Sequence, residues 1–296
     1  MVKAALAAGH NVVAFGRDTD QRNKMRLDIK HERLSLIHGD LRQSMSQACE
    51  RIDAIIHLAA ATFVDHSIRD PQPFIDNNVL GMYSLLEGAR RNGVKKILIQ
   101  STDEVYGAIL SGQYTEDSRL NPTNPYAASK AAADMLARAY HNTYGMEIVI
   151  ARLENVYGPY QHPQKVLPTF TRKAMANEPL PVYGDGKHRR QWLHVDDNVS
   201  ALLFLLDNWH PGEIYHVAGH QELENLDLAK RILGILDKLE NKIMFLDDHN
   251  ARPGHDRRYA LDSTKIRSLG WKPEYTIDTG LPLVVNWYRD NPWWFS

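Results

Sequence analysis

Four polar residues in a row, Ser101-Thr102-Asp103-Glu104, end the apolar run Ile97-Leu98-Ile99, and further along Tyr126-Ala127-Ala128-Ser129-Lys130 opens an alanine-rich segment. On a helix, a Tyr and a Lys four apart share one face. An ammonium there would stabilise a phenolate and bring its pKa down from about 10. A phenolic base that takes a proton from an alcohol while hydride leaves the same carbon is oxidoreductase chemistry. A Tyr–Lys pair at this spacing also arises by chance, and the carboxylate pair upstream argues against that. Read instead as caps for the following turn, Asp103 and Glu104 would be only half explained, since a cap needs one of them.

These residues need a scaffold, and the hydrophobic pattern supplies one. Residues 1–8 read as the second half of a helix stopped by Gly9. Residues 11–15 are β-branched and aromatic, hence a strand, followed by a polar helix-like stretch and a short strand at 34–37. Another strand covers 51–58, a helix 78–92 and a strand 96–100. Strands alternating with helices predict an α/β fold, a Rossmann-like doubly wound parallel sheet. Ligands in such sheets lie at the carboxyl ends of the strands, where Asp40, His57 to Ala60 and Ser101 to Glu104 fall. Such a fold ordinarily begins with a strand and a glycine-rich turn that holds the pyrophosphate at a helix N-terminus. No such strand or turn precedes the first helix here. Either the recorded start lies downstream of the true one, or dinucleotide affinity suffers; a helix met half finished favours the former.

The second half is richer in breakers, with Gly158-Pro159, Pro163, Pro179 and Pro181 after a strand at 146–153. Helices are expected at 199–207, 226–239 and 264–269. A net charge of −1 over 296 residues excludes the basic footprint of a nucleic-acid or anionic-membrane binder. No run reaches the roughly 18–20 apolar residues of a membrane span, and the start does not read as a signal peptide. The single Cys49 excludes an intrachain disulfide framework and suits a reducing compartment, so a soluble, cytoplasmic protein is expected. The 14 histidines show no ligand spacing, and no metal is assigned. Trp293 and Trp294 are expected to anchor the chain end.

Longer stretches carry a resemblance. His57-Leu58-Ala59-Ala60 with Val64-Asp65-His66-Ser67-Ile68, Asn78-Val79-Leu80-Gly81, Ser101 to Gly107 (STDEVYG), Asn155 to Gln161, Gly184 to Val195 and Arg252 to Tyr259 are similar to segments of the extended short-chain dehydrogenases/reductases. Within these the chain resembles the NAD-dependent epimerase/dehydratase family, most of all its dTDP-glucose 4,6-dehydratase branch. The resemblance implies transient oxidation at carbon 4 of a nucleotide-linked hexose, elimination of water across carbons 5 and 6, and hydride return to carbon 6. It gives Tyr126, tuned by Lys130, the carbon-4 hydroxyl proton, Glu104 the carbon-5 proton, Asp103 the leaving hydroxyl and Thr102 a hydrogen bond to the carbon-4 oxygen. Two neighbouring carboxylates can split acid and base roles only if their environments separate their pKa values.

The resemblance further implies NAD, with Asp40 and Leu41 against the adenine, Leu58, Ala59 and Ala60 along the dinucleotide, and Asn78 and Ser101 beside Tyr126 and Lys130. Gly16-Arg17 stands where an acidic residue usually takes the ribose hydroxyls, which points instead to NADP or to Arg17 stacking on adenine. A surface Arg17, with Asp18 or Asp20 serving the ribose, is the other reading. For the nucleotide sugar the resemblance nominates Asn155, Lys165, Arg190, Arg252 and His255, with Pro181, Val182 and Tyr183 along the base. His255 could equally be a surface residue, and Gln221 stands where Asn is usual. The domains implied are 1–155 for the dinucleotide and 156–296 mainly for substrate, with 190–212 returning to the first. The helices starting near Asn78 and Tyr126 would pair with a second copy in a homodimer. Two other readings share Tyr126 and Lys130 or neither: another nucleotide-sugar enzyme, such as a 4-epimerase or uronate decarboxylase, and a non-catalytic protein lacking its phosphate loop.

Overall fold

The structure is a computed structural model, described here for residues 1–17, 29–247 and 256–295. The polar stretch expected to be helical after the first strand, with Asp18 and Asp20, and the sites Arg252 and His255 lie outside the described residues. The chain divides into two compact units. One comprises Met1–Tyr106, Arg119–Arg152 and Leu202–Tyr215, the other Gly107–Ser118, Leu153–Ala201 and His216–Ser296.

In the first unit a short helix, Val2–Ala7, ends at Gly9, whose φ of +94° is the left-handed stop expected of it. The strands β1 (Val12–Gly16) and β2 (Leu34–His38) pair in parallel with Val12 opposite Leu34. A four-stranded sheet has the order β3-β4-β5-β9, formed by β3 (Ala54–His57), β4 (Lys96–Thr102), β5 (Glu147–Leu153) and β9 (Ile214–Val217). β3 and β4 run parallel with Ala54 opposite Lys96. This is the parallel α/β arrangement that the alternating pattern predicts. The helix expected from residue 78 begins earlier, because a wide π-type turn over Ile75–Leu80 leads into Gly81–Arg91. Such turns occur mostly where function distorts a helix, and here it buries Asn78. The longest helix, Pro125–Tyr144, starts on a textured signal: the Asn124 side chain accepts from the Ala127 N–H at 2.9 Å, and Pro125 fills the first helical position. Gly145, at φ +65°, ends it. Met82, Leu86, Ile97, Ile99, Ala137 and Ile150 are among the residues of the unit's core.

The second unit holds β6 (Asn155–Tyr157), β7 (Leu180–Tyr183), β8 (Arg189–His194), β10 (Glu222–Glu224) and β11 (Ile243–Leu246). They form a sheet ordered β10-β8-β6 and a parallel pair β11-β7. The helices Val166–Met175, Asn225–Ile235 and Ile277–Asp290 pack around Leu167, Phe170, Leu228, Ile232, Val284 and Tyr288. Trp294 is buried in this core and its indole N–H donates to the Gln161 carbonyl at 2.8 Å, whereas Trp293 is exposed. One of the two tryptophans therefore anchors the end.

Candidate active site

β4 carries its apolar residues into the core and delivers Ser101 and Thr102 at its carboxyl end, where a 3-10 turn, Asp103–Tyr106, follows at once. Ser101, Thr102 and Asp103 are buried and Glu104 is half-buried. The Thr102 hydroxyl donates to Asp103 Oδ1 at 3.1 Å and accepts from the Glu104 N–H at 3.3 Å, which ties the two acids to the strand end. Asn124, the residue that caps the long helix, also reaches Glu104 Oε2 at 3.5 Å.

The long helix brings Tyr126 and Lys130 to the same place, both buried. Its first turn is pinned by Ser67, whose hydroxyl accepts from the Tyr126 N–H at 3.1 Å, and Phe74 meets the Tyr126 ring edge-on at 6.3 Å between centroids. Lys130 Nζ donates to the Gln100 carbonyl at 2.9 Å. The expected lowering of the phenol by this ammonium is not what the geometry gives. Burial, the Glu104 carboxylate and the Asp103 carboxylate push the Tyr126 phenol well above its usual value, and only a hydrogen bond with Thr102 opposes them. Burial pushes the Lys130 ammonium down, with Asp134 opposing. The site thus gathers a hydroxyl and two carboxylates about the Tyr126 phenol, with the Lys130 ammonium buried one helical turn further on and bonded to the Gln100 carbonyl.

The cofactor-side residues fall on strand ends of the same unit. Leu58 and Ala59 are exposed after β3 and Ala60 is half-buried, so this segment offers a small apolar floor. Asn78 holds it: its side chain accepts from the Ala61 N–H at 2.8 Å and donates to the Ala61 carbonyl at 3.0 Å and to Ser129 Oγ at 2.8 Å. His57, buried at the end of β3, is pushed down to about 3 by burial and by the Lys130 charge, and stays neutral. Asp40 follows β2, but Arg42 grips its carboxylate at 2.6 to 3.1 Å and holds it down at about 2. Arg17, exposed after β1, adds to that lowering, so its charge lies near Asp40. Leu41 packs on the unit's core. The residues fit the nicotinamide end of NAD: the Ser101 hydroxyl is buried without a hydrogen-bond partner among the described residues, and Lys130 uses one of its three N–H donors on Gln100.

Within the second unit Asn155 opens β6 opposite Trp192 of β8, and Lys165 stands half-buried at the start of the helix Val166–Met175. Pro181, Val182 and Tyr183 lie on β7, with only Val182 fully buried, and Gln221 is exposed. Arg190 is buried. Its guanidinium donates to the carbonyls of Arg189 at 2.7 Å and Asp256 at 2.8 Å and lies 4.5 Å from the Tyr259 ring centroid. It braces backbone as well as carrying charge.

Asn124, Ser67 and Asp134 were not singled out from the sequence. Asn124 could have been found as the cap before Pro125, and Asp134 as the residue one turn beyond Lys130; Ser67 stood only within the matching stretch Val64 to Ile68, with no role given to it. Among the described residues no group of three or more His, Cys, Asp or Glu side chains could hold a metal ion, and no helix is long and apolar enough to cross a membrane.

Comparison with known proteins matches residues 1–283 to the model of the GDP-mannose 4,6 dehydratase family. A dTDP-glucose 4,6-dehydratase of Streptomyces niveus is 47% identical over 244 residues, covering 82% of this chain and 72% of that one. The crystal structure of DesIV, a dTDP-glucose 4,6-dehydratase from Streptomyces venezuelae solved with NAD bound, superposes with a TM-score of 0.94 at 40% identity, covering 99% of this chain and 94% of that one. A UDP-glucuronic acid 4-epimerase from Bacillus cereus, in complex with UDP-glucuronic acid and NAD, reaches a TM-score of 0.90 at 26% identity, covering 97% and 94%.

Proposed function

The chain belongs to the GDP-mannose 4,6 dehydratase family, and on that premise we propose that it is an NAD-dependent nucleotide-sugar 4,6-dehydratase acting on dTDP-glucose. The carrying observation is the acid pair: Asp103 and Glu104 stand on one short turn at the carboxyl end of β4, and the Thr102 hydroxyl bonds the side chain of the first and the N–H of the second. A 4-epimerase needs the phenol and the ammonium but has no water to eliminate, so one or both carboxylates would be idle in it.

A hydroxyl beta to an unactivated carbon does not leave readily, and a ketone at carbon 4 makes the carbon-5 proton acidic. Tyr126 removes the carbon-4 hydroxyl proton, helped by Thr102, whose hydroxyl can hydrogen-bond the same oxygen. NAD, when bound, would supply the hydride acceptor and, later, the hydride donor. Glu104, the more open of the acids, takes the carbon-5 proton. Asp103, buried beside the Thr102 hydroxyl, gives a proton to the leaving carbon-6 hydroxyl. Leu58, Ala59, Ala60, Asn78 and Ser101 hold the nicotinamide side, and Asp40, Leu41 and Arg17 the adenosine side. Asn155, Lys165, Pro181, Val182, Tyr183, Arg190 and Gln221 are assigned to the nucleotide sugar.

The exposed apolar side chains Leu80, Tyr83, Met135 and Tyr144, on or beside the two helices Gly81–Arg91 and Pro125–Tyr144, support a homodimer built on that face. The one cysteine, buried Cys49, suits a cytoplasmic setting. Incubation of the protein with dTDP-glucose and NAD should yield the 4-keto-6-deoxy sugar, detected by its absorbance in base. Glu104→Gln should lower that turnover by about 10²–10⁴-fold; unchanged turnover would remove the dehydratase reading.

A further inference from the structure

The long helix sets Tyr126, Lys130 and Asp134 four residues apart on one face. The first two enter the proposed chemistry and the third has no part in it. Asp134 is fully buried; one carboxylate oxygen accepts from Arg152 Nε at 2.9 Å and the other has no hydrogen-bond partner among the described residues. Arg152, on β5, is equally buried, and its second arm donates to the Tyr106 hydroxyl oxygen at 2.6 Å. Its guanidinium carbon also lies 4.9 Å from the Tyr106 ring centroid. Tyr106 in turn ends the 3-10 turn that carries Asp103 and Glu104.

Stability alone is a weak reason for this arrangement. A desolvated ion pair can often be exchanged for apolar residues of the same volume without loss, and here one carboxylate oxygen is left unmatched. The geometry offers another reason, because a single guanidinium is bonded at one end to the helix of the phenol and at the other to the turn of the acids. We propose that Arg152 is a positioning residue that fixes the acid pair relative to the phenol through Tyr106, so that elimination keeps pace with oxidation. Asp134 holds the guanidinium in that orientation by a directed bond to Nε. The inference rests on the dehydratase reading, and it concerns the match between two steps of that reaction.

Arg152→Leu would strand Asp134 and could prevent folding, so the informative variants are gentler. Tyr106→Phe removes one hydroxyl and leaves the ring and the Arg152–Asp134 pair. Arg152→Lys keeps the charge but cannot bond both partners in the fixed geometry of a guanidinium. Each should lower kcat for dTDP-glucose by about 10–100-fold, the scale of a small misplacement of reacting groups, with KM within about twofold and the melting temperature little changed. During turnover each should accumulate reduced nicotinamide, seen by its absorbance, because oxidation at carbon 4 continues while elimination lags. Variants that turn over like an active wild type, or that lose activity only with a fall in melting temperature and without reduced nicotinamide, overturn the inference alone. A wild type that makes no ketone from dTDP-glucose overturns the dehydratase reading, and this one with it.

Discussion

Lys130→Met should make the protein more stable while disabling it. The Lys130 ammonium is buried at 4% exposure and donates a hydrogen bond to the Gln100 carbonyl at 2.9 Å. Burial is the largest influence on it and disfavours its charge, more than Asp134 restores. Methionine fills nearly the same volume with no charge. The substitution forfeits a charged hydrogen bond, about 1.5–3 kcal/mol, and relieves a desolvation cost of several kcal/mol. The surplus is about 1–3 kcal/mol in favour of the variant. That corresponds to a rise in melting temperature of about 2–4 °C for each kcal/mol. The sign with pH follows from the lowered folded pKa. The gain is full below that value, where the wild-type lysine is charged in both states, and fades as pH rises toward the ordinary 10.5. Urea unfolding at pH 7 and near pH 10.5, with dTDP-glucose turnover measured alongside, tests all of this. A variant less stable than wild type at pH 7 would refute the reasoning, because it would mean that the fold draws net support from the ammonium.

Two further outcomes are expected. Asp40 owes its pKa of about 2 first to the Arg42 hydrogen bonds, so its contribution to stability is present above its ordinary 3.8 and lost as pH falls through about 2. Arg42→Ala should therefore unfold more easily than wild type in urea above that window, and the two should converge below it; parallel curves at every pH would contradict the pairing. Gly219→Ala would place a methyl group 2.1 Å from the Trp192 carbonyl oxygen, which belongs to β8 and cannot swing aside. A loss of at least about 2 kcal/mol is expected on thermal unfolding, and an unchanged melt would show that the backbone yields there.

The parts of the site that were legible beforehand are the parts encoded locally. The strand end at Ser101 to Glu104 could be read because an apolar run stops at a row of polar residues, and the helix of Tyr126 and Lys130 because these two residues open an alanine-rich segment at helical spacing. What stayed hidden depends on residues distant in sequence. Arg152 meets Asp134 and Tyr106 across 18 and 46 positions, and Arg190 meets the Asp256 carbonyl across 66. Spacing within one helix cannot signal such contacts. The direction of the Tyr126 shift differs from the sequence expectation for the same reason: the Tyr–Lys spacing shows the ammonium, but not how completely the phenol is withdrawn from water or that two carboxylates act on it. The wide turn around Asn78 was also invisible, since a helical pattern does not reveal where an extra residue is fitted into a turn.

The triple grip of Asn78 has a thermodynamic consequence. By accepting from and donating to Ala61 and reaching Ser129 as well, it ties the segment after β3 to the long helix through bonds within the protein. A molecule settling over Leu58 to Ala60 therefore meets a surface already frozen in shape, so that little conformational entropy is surrendered there on association. Breaking that clip should weaken affinity even though Leu58, Ala59 and Ala60 themselves are unchanged.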